Sequence, residues 1–211
     1  SNAMSLNAQW MQRDLAVLWH PCTQMKDHER LPVIPIKRGD GVWLEDFDGT
    51  RYLDAVSSWW VNVFGHGNPR INQRLKDQLD NLEHVMLAGF SHQPVIELSE
   101  RLVQITPAGL DRVFYADNGS SGIEVALKMS YHYWRNCGQS GKSRFVTLTN
   151  SYHGETVAAM SVGDVALFTD TYKSLLLDTL KVPSPDCYLR PEGMGWEEHS
   201  RNMFAAMEQT L

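Results

Sequence analysis

The run Asp117-Asn118-Gly119-Ser120-Ser121-Gly122 is where residue types and spacing most clearly suggest chemistry. The preceding Arg112-Val113-Phe114-Tyr115-Ala116 reads as a short buried strand, and Ile123, Leu127, Tyr131 and Trp134 then recur at helical spacing. The polar turn therefore feeds a helix N-terminus, where unpaired backbone N–H groups and the positive end of the helix dipole favour an anion such as a phosphate. Gly119 lets the backbone approach that anion closely, and Ser120 or Ser121 adds a hydroxyl donor. The same residues also fit a capping box, with Ser121 as the cap and Glu124 reaching back to it. On the turn alone both readings stand. The spacings G-x-x-x-x-G-K-[ST] and G-x-G-x-x-G are absent from the run.

Further along, Arg144-Phe145-Val146-Thr147-Leu148-Thr149 reads as a second strand, and it ends in Asn150-Ser151-Tyr152-His153-Gly154-Glu155-Thr156. Ligands of open parallel sheets gather at the C-terminal ends of strands. A phosphate cradle after one strand and Tyr-His-Gly after the next suggest a phosphorylated aromatic ligand, its anion on the helix and its ring against Tyr152. Taken singly, Tyr152 also suits a half-buried loop position and His153 a hydrogen-bonded structural role.

Together with Trp19-His20-Pro21-Cys22-Thr23-Gln24-Met25 and Ser57-Ser58-Trp59-Trp60, these motifs resemble the class III aminotransferases of the fold type I pyridoxal-phosphate enzymes. The resemblance runs from about Leu18 to the last residue. It implies an α/β fold with a mostly parallel sheet in the large domain, pyridoxal 5'-phosphate as cofactor, and at least a homodimer. It implies cofactor contacts at Gly119, Ser120, Tyr152, His153 and Glu155, of which Gly119 and Ser120 match the phosphate positions and Tyr152 the aromatic over the ring. It implies substrate contacts at Trp59, Tyr152 and Cys22, with Trp59 an apolar wall for an acyl chain and a π face for a cation. For Trp60 a core or interface cluster is the preferred reading, and the two tryptophans should point in opposite directions if the segment is extended. The W-H-P and S-S-W-W pieces narrow the resemblance to the biotin-pathway branch. That implies S-adenosylmethionine as amino donor and 8-amino-7-oxononanoate as acceptor. The alternatives are another class III enzyme acting on an ω-amino acid, or a non-catalytic cofactor-binding or interaction module.

The sequence departs from the family pattern at two motif positions. Cys22 stands where the family usually has tyrosine, and Glu155 where it commonly has aspartate. No lysine lies in the strand-end context of the residue that anchors the cofactor covalently. Lys128 belongs to the helix after the phosphate turn, and Lys173 and Lys181 precede a strand or lie in it. The expectation is an N-terminal portion of a longer enzyme, carrying phosphate and ring contacts without the covalent anchor and inactive by itself.

Lysine and arginine number 19 against 25 acidic residues, a net charge of −6, which leaves no basic stripe for a nucleic-acid partner. Any anion site must be built locally from oriented amides. Cys22, Cys137 and Cys187 are widely spaced and the histidines lack ligand spacing, so neither a disulfide framework nor a metal site is indicated. No signal peptide or membrane-spanning stretch is read, and a reducing cytoplasm fits. Ser1-Asn2-Ala3 before Met4 reads as a tag remnant.

The elements that must position these residues follow from local patterns. Leu6 to Leu18 suits an amphipathic arm helix. Val42–Phe47 and Arg51–Ala55 flank Asp48-Gly49, a hairpin signal. Residues 1–64 thus read as an arm with part of a small domain, and residues 65–211 as the first part of a large cofactor-binding domain. Within the latter, Asn68-Pro69 opens a helix with Ile71, Leu75, Leu79 and Leu82 on one face, and a second helix follows Pro94. Helices and strands then alternate, as in the α/β class.

Overall fold

The computed structural model describes residues 3–211, so Ser1 and Asn2, two of the residues read from the sequence as a tag remnant, lie outside the described residues. The chain divides into two compact units, one up to Ile96 and one from Glu97 onward, with the division falling inside a helix.

The first unit opens with α1 (Leu6–Val17), whose cap is Ser5: its Oγ accepts from the Ala8 amide at 3.2 Å. Asp48 Oδ1 accepts from the amides of Leu6 (3.0 Å) and Asn7 (3.3 Å), and Trp10 stacks on Phe47 at 5.1 Å. These contacts tie the arm helix to the hairpin turn. The sheet is antiparallel in the order β1 (Ile36–Asp40), β2 (Trp43–Asp46), β3 (Arg51–Leu53). Leu44 faces Tyr52 across the expected Asp48-Gly49 turn, and Gly49 has φ of 92°. That turn depends on Asp46, which is 1% exposed. Its Oδ1 accepts from the amides of Asp48 (3.0 Å) and Thr50 (2.8 Å), and its Oδ2 accepts from the Tyr52 hydroxyl at 2.9 Å. Every acceptor site facing inward is therefore satisfied, as burial of a carboxylate demands.

The Ser57–Trp60 segment is a single helical turn, α2, and not the extended stretch considered from the sequence. It winds left-handed, with φ of 48°, 49°, 63° and 64° from Ser57 to Trp60. Trp59 and Trp60 are both exposed, at 63% and 77%, so Trp60 is not part of a core within this chain. Next comes α3 (Pro69–Asn81), with Pro69 in its first turn and Asn68 Oδ1 accepting from the amides of Arg70 and Ile71. It is followed by α4 (Gln93–Ile105).

In the second unit, α5 (Gly119–Asn136) precedes β4 (Val146–Leu148), which pairs in parallel with β5 (Leu180–Val182). The crossover between them contains α6 (Val157–Ser161) and α7 (Ala166–Thr169), and α8 (Trp196–Thr210) follows β5. Ala159, Met160, Val162 and Val182 form the buried apolar centre beside buried Thr147. The strand expected at Arg112–Ala116 is not formed. A strand exists only by pairing, and no ladder partner lies beside it among the described residues.

The chain exposes 16860 Å². Two separate globules of these masses would expose about 12,000 Å². The excess includes Ile71, Leu75 and Leu79 on α3, the apolar face that the sequence pattern marks for burial.

Candidate functional site

Two segments of the second unit converge: the first turn of α5 and the loop that follows β4. Asn118 is the cap of α5, its Oδ1 accepting from the Ser121 amide at 2.9 Å. Glu124 does not reach back to Ser121. Its Oε1 accepts instead from the Ala158 amide at 3.1 Å, in the first turn of α6. The capping-box reading is therefore overturned, because the cap is already filled and the carboxylate serves a distant segment. Among the described residues no protein acceptor pairs with the amides of Gly119 and Ser120. A side chain added at Gly119 would meet open space, and its φ is not left-handed. The protein interior itself does not require glycine there. What glycine does is leave the two leading amides accessible, the arrangement an anion needs at a helix N-terminus.

Ser120 Oγ accepts from the Glu155 amide at 3.3 Å, which places the Tyr-His-Gly loop against this helix start. Gly154, with φ of 123°, packs so closely that an added Cβ would stand 2.8 Å from Ser120 Cβ and 3.1 Å from its Cα. Within the loop the Tyr152 hydroxyl donates to Glu155 Oε1 at 3.1 Å, so the longer carboxylate at this position is used to hold the tyrosine. The Tyr152 ring lies 5.5 Å from the Phe168 ring and is 55% exposed. The loop's start is set by Asn150, at φ 58°, whose amide donates to Asp164 Oδ2 at 3.1 Å. His153 is exposed, and no hydrogen bond or ion pair joins it to another of the described residues.

Asp117, at the entry to the turn, is held below the usual carboxylate range, first by the Ser121 hydroxyl and then by backbone amide donation. It stays charged at neutral pH and opposes an anion, so the amides and dipole of α5 would have to outweigh it for one to bind at this turn. Of the lysines weighed from the sequence, Lys181 Nζ contacts Asp164 Oδ1 at 2.5 Å and Lys173 Nζ contacts Asp170 at 3.0 Å. Lys128 lies on α5.

Gly119, Ser120, Tyr152 and Glu155 thus come together in one unit. Cys22 and Trp59 belong to the other, both exposed and both with positive φ. Sequence reasoning missed Glu124 as a tie to α6 and Phe168 as a ring neighbour. Neither carries a local signal, since each acts on a residue far along the chain.

The class-III aminotransferase model matches residues 24–211. The chain belongs to the class-III aminotransferases. Adenosylmethionine-8-amino-7-oxononanoate aminotransferase of Helicobacter pylori is 56% identical over 173 residues, covering 82% of this chain and 39% of that protein. The enzyme of the same name from Aquifex aeolicus is 46% identical over 177 residues, with 84% and 39% covered. Among solved structures, the same-named enzyme of Methanocaldococcus jannaschii superposes with a TM-score of 0.83 at 37% identity, over 96% of this chain and 44% of that one. The omega transaminase of Pseudomonas jessenii in complex with PMP gives 0.85 at 27% identity, with 98% and 45% covered. The chain therefore has the α/β architecture of fold type I aminotransferases, and it spans about two fifths of the length of the curated relatives it matches.

Proposed function

We propose that this class-III aminotransferase chain contributes the phosphate and ring contacts of a pyridoxal-phosphate enzyme. The whole enzyme would transfer the amino group of S-adenosylmethionine to 8-amino-7-oxononanoate, giving 7,8-diaminononanoate. The observation that carries the reading is the hydrogen bond between Ser120 and Glu155, which brings an amide-lined helix start and an exposed tyrosine into one place. The residues fit the cofactor: accessible amides at Gly119 and Ser120 for its phosphate, and an aromatic face at Tyr152 for its ring. When bound, pyridoxal phosphate supplies the electron sink that lets an amino group be taken from one substrate and given to another.

The chain's own residues do the binding and orienting. The Gly119 and Ser120 amides, with the Ser120 hydroxyl, would hold the phosphate dianion at the positive end of α5. Tyr152, fixed by Glu155, would cover the ring and keep water from one face. Trp59 would wall the acyl chain of the acceptor and offer its face to the donor sulfonium. Cys22 leaves the usual tyrosine hydroxyl out of donor positioning. The relatives' names support this choice of donor and acceptor, and the free cysteines suit a reducing cytoplasm. The excess exposed surface supports further protein contact, as in a homodimer. The test is a comparison of donors with the full-length enzyme: S-adenosylmethionine should support amination of 8-amino-7-oxononanoate, and preference for a simple ω-amino acid would overturn the assignment. That second reading draws on the omega-transaminase superposition.

A further inference from the structure

Asp54, immediately after β3, gathers three donors on one carboxylate. The Ser58 amide donates to Oδ1 at 2.9 Å, the Ser58 hydroxyl to Oδ2 at 2.8 Å, and His66 Nε2 to Oδ2 at 2.7 Å. The Asp54 and His66 side chains are 6% and 16% exposed. A carboxylate only accepts, so Nε2 of His66 carries a proton. The grouping is not a nucleophile triad, because Ser58 and His66 both donate to Asp54 and no base faces the hydroxyl.

The same two residues are fixed by their backbones to the β1–β2 connection. Asp54 N donates to Val42 O at 2.9 Å, and Gly41 and His66 exchange hydrogen bonds of 3.0 and 2.8 Å. Gly39 makes room for the imidazole, since a Cβ there would stand 2.7 Å from His66 Cβ and Cγ. What this rigid carboxylate grips is the left-handed turn α2. Four consecutive non-glycine residues with positive φ do not adopt that shape by preference. The shape is imposed from outside, and the tether falls on Ser58, the residue that leads into Trp59.

We propose that Asp54, oriented by His66, is a positioning residue: its carboxylate keeps Ser57–Trp60 left-handed and so sets the direction in which Trp59 is presented to substrate. The inference rests on the reading of Trp59 as a substrate wall. It adds a second set of residues to specificity, none of which needs to touch the substrate.

The test is a double-mutant cycle in the full-length, pyridoxal-phosphate-loaded enzyme. Asp54→Asn places an amide group against donors and should raise KM for 8-amino-7-oxononanoate about tenfold, with a smaller change in kcat. The cofactor Kd, measured by absorbance titration, should stay unchanged. Trp59→Ala should raise KM similarly, and the double variant should be no worse than either single one. Additive losses, or an unchanged KM in Asp54→Asn beside a raised one in Trp59→Ala, overturn the positioning role. If Asp54→Asn does not fold, Ser58→Ala, which removes one donor, takes its place in the cycle under the same criteria. An unchanged KM in Trp59→Ala alone shows instead that the wall reading is wrong, and the inference falls with its premise.

Discussion

The hydroxyl oxygen of Ser120 accepts a hydrogen bond from the amide of Glu155 at 3.3 Å, joining the first turn of α5 to the Tyr152 loop. The helix start and the loop after β4 thereby come together, and on the proposed reading the hydroxyl would serve both the loop and the cofactor phosphate. Ser120→Ala in the full-length enzyme should weaken pyridoxal-phosphate binding by about 1 to 3 kcal/mol, the range for losing one buried or charge-assisted hydrogen bond. Absorbance titration measures it. Unchanged affinity would leave the helix start as ordinary capping.

Gly154 should tolerate substitution less well than Ser120. An alanine there must hold φ near 123° and press its Cβ within 2.8 Å of Ser120 Cβ. The backbone cost alone is about 1 to 3 kcal/mol. Removing the serine hydroxyl as well cannot restore the loss, because the clash extends to Ser120 Cβ and Cα. Thermal unfolding of Gly154→Ala and of the Ser120→Ala, Gly154→Ala pair checks this, and full recovery in the pair would show that the hydroxyl is the sole obstacle.

Glu124 ties α5 to α6 through the Ala158 amide. Glu124→Gln keeps an acceptor oxygen and should be nearly neutral, whereas Glu124→Ala leaves a part-buried amide unpaired and should destabilise by about 1 to 3 kcal/mol. Hydrogen exchange at Ala158 is the specific readout. Protection there should fall in the alanine variant and persist in the glutamine one.

These features differ in how much of them the sequence carried. The Asp48-Gly49 hairpin and the Asn68-Pro69 helix start were legible because the residues that stabilise them are local to the turn or cap. The strand expected at Arg112–Ala116 does not form, because a ladder needs a partner and sequence pattern marks only a candidate. Trp59 and Trp60 illustrate the same limit: an extended segment was a reasonable default, but Asp54 and His66 impose a left-handed turn from outside it. In the candidate site the motif order suggested that the Gly119–Ser120 turn and the Tyr152 loop would meet, as the Ser120–Glu155 contact shows they do. Asn118 rather than Ser121 as cap, and Glu124 as a link to α6, were not readable, since several polar residues competed for the same amides.

Acid should weaken the first unit through two aspartates. Asp54 is held below its ordinary value of 3.8, first by the Ser58 amide, then by the Ser58 hydroxyl and His66. For Asp46 burial works upward, but donors from Asn7, Thr50, Tyr52 and Asp48 together outweigh it, and its pKa is also lowered. A folded pKa below the unfolded one means that the stabilisation is complete above the unfolded value and is lost as pH falls through the folded value. Stability attributable to these groups should therefore be flat from neutral pH down to the ordinary aspartate range and decline below it. Asp54→Asn should shrink that acid-dependent loss. A variant whose unfolding follows the same pH curve as the parent would show that Asp54 is not linked to folding.

The lysines make a final, chemical prediction. Covalent attachment of pyridoxal phosphate needs an amine that can lose its proton next to the cofactor carbonyl. Lys181 and Lys173 are each engaged in an ion pair, with Asp164 and Asp170, and Lys128 lies on α5, beyond the first turn that would hold the phosphate. The purified 211-residue chain should therefore bind pyridoxal phosphate reversibly, show no amination of 8-amino-7-oxononanoate, and carry no lysine label after borohydride reduction at stoichiometric cofactor. Peptide mapping distinguishes the outcomes. A single stoichiometric label on Lys128, Lys173 or Lys181 would mean that this stretch supplies its own anchor, and the division of labour argued for Ser120 and Tyr152 would have to include that residue.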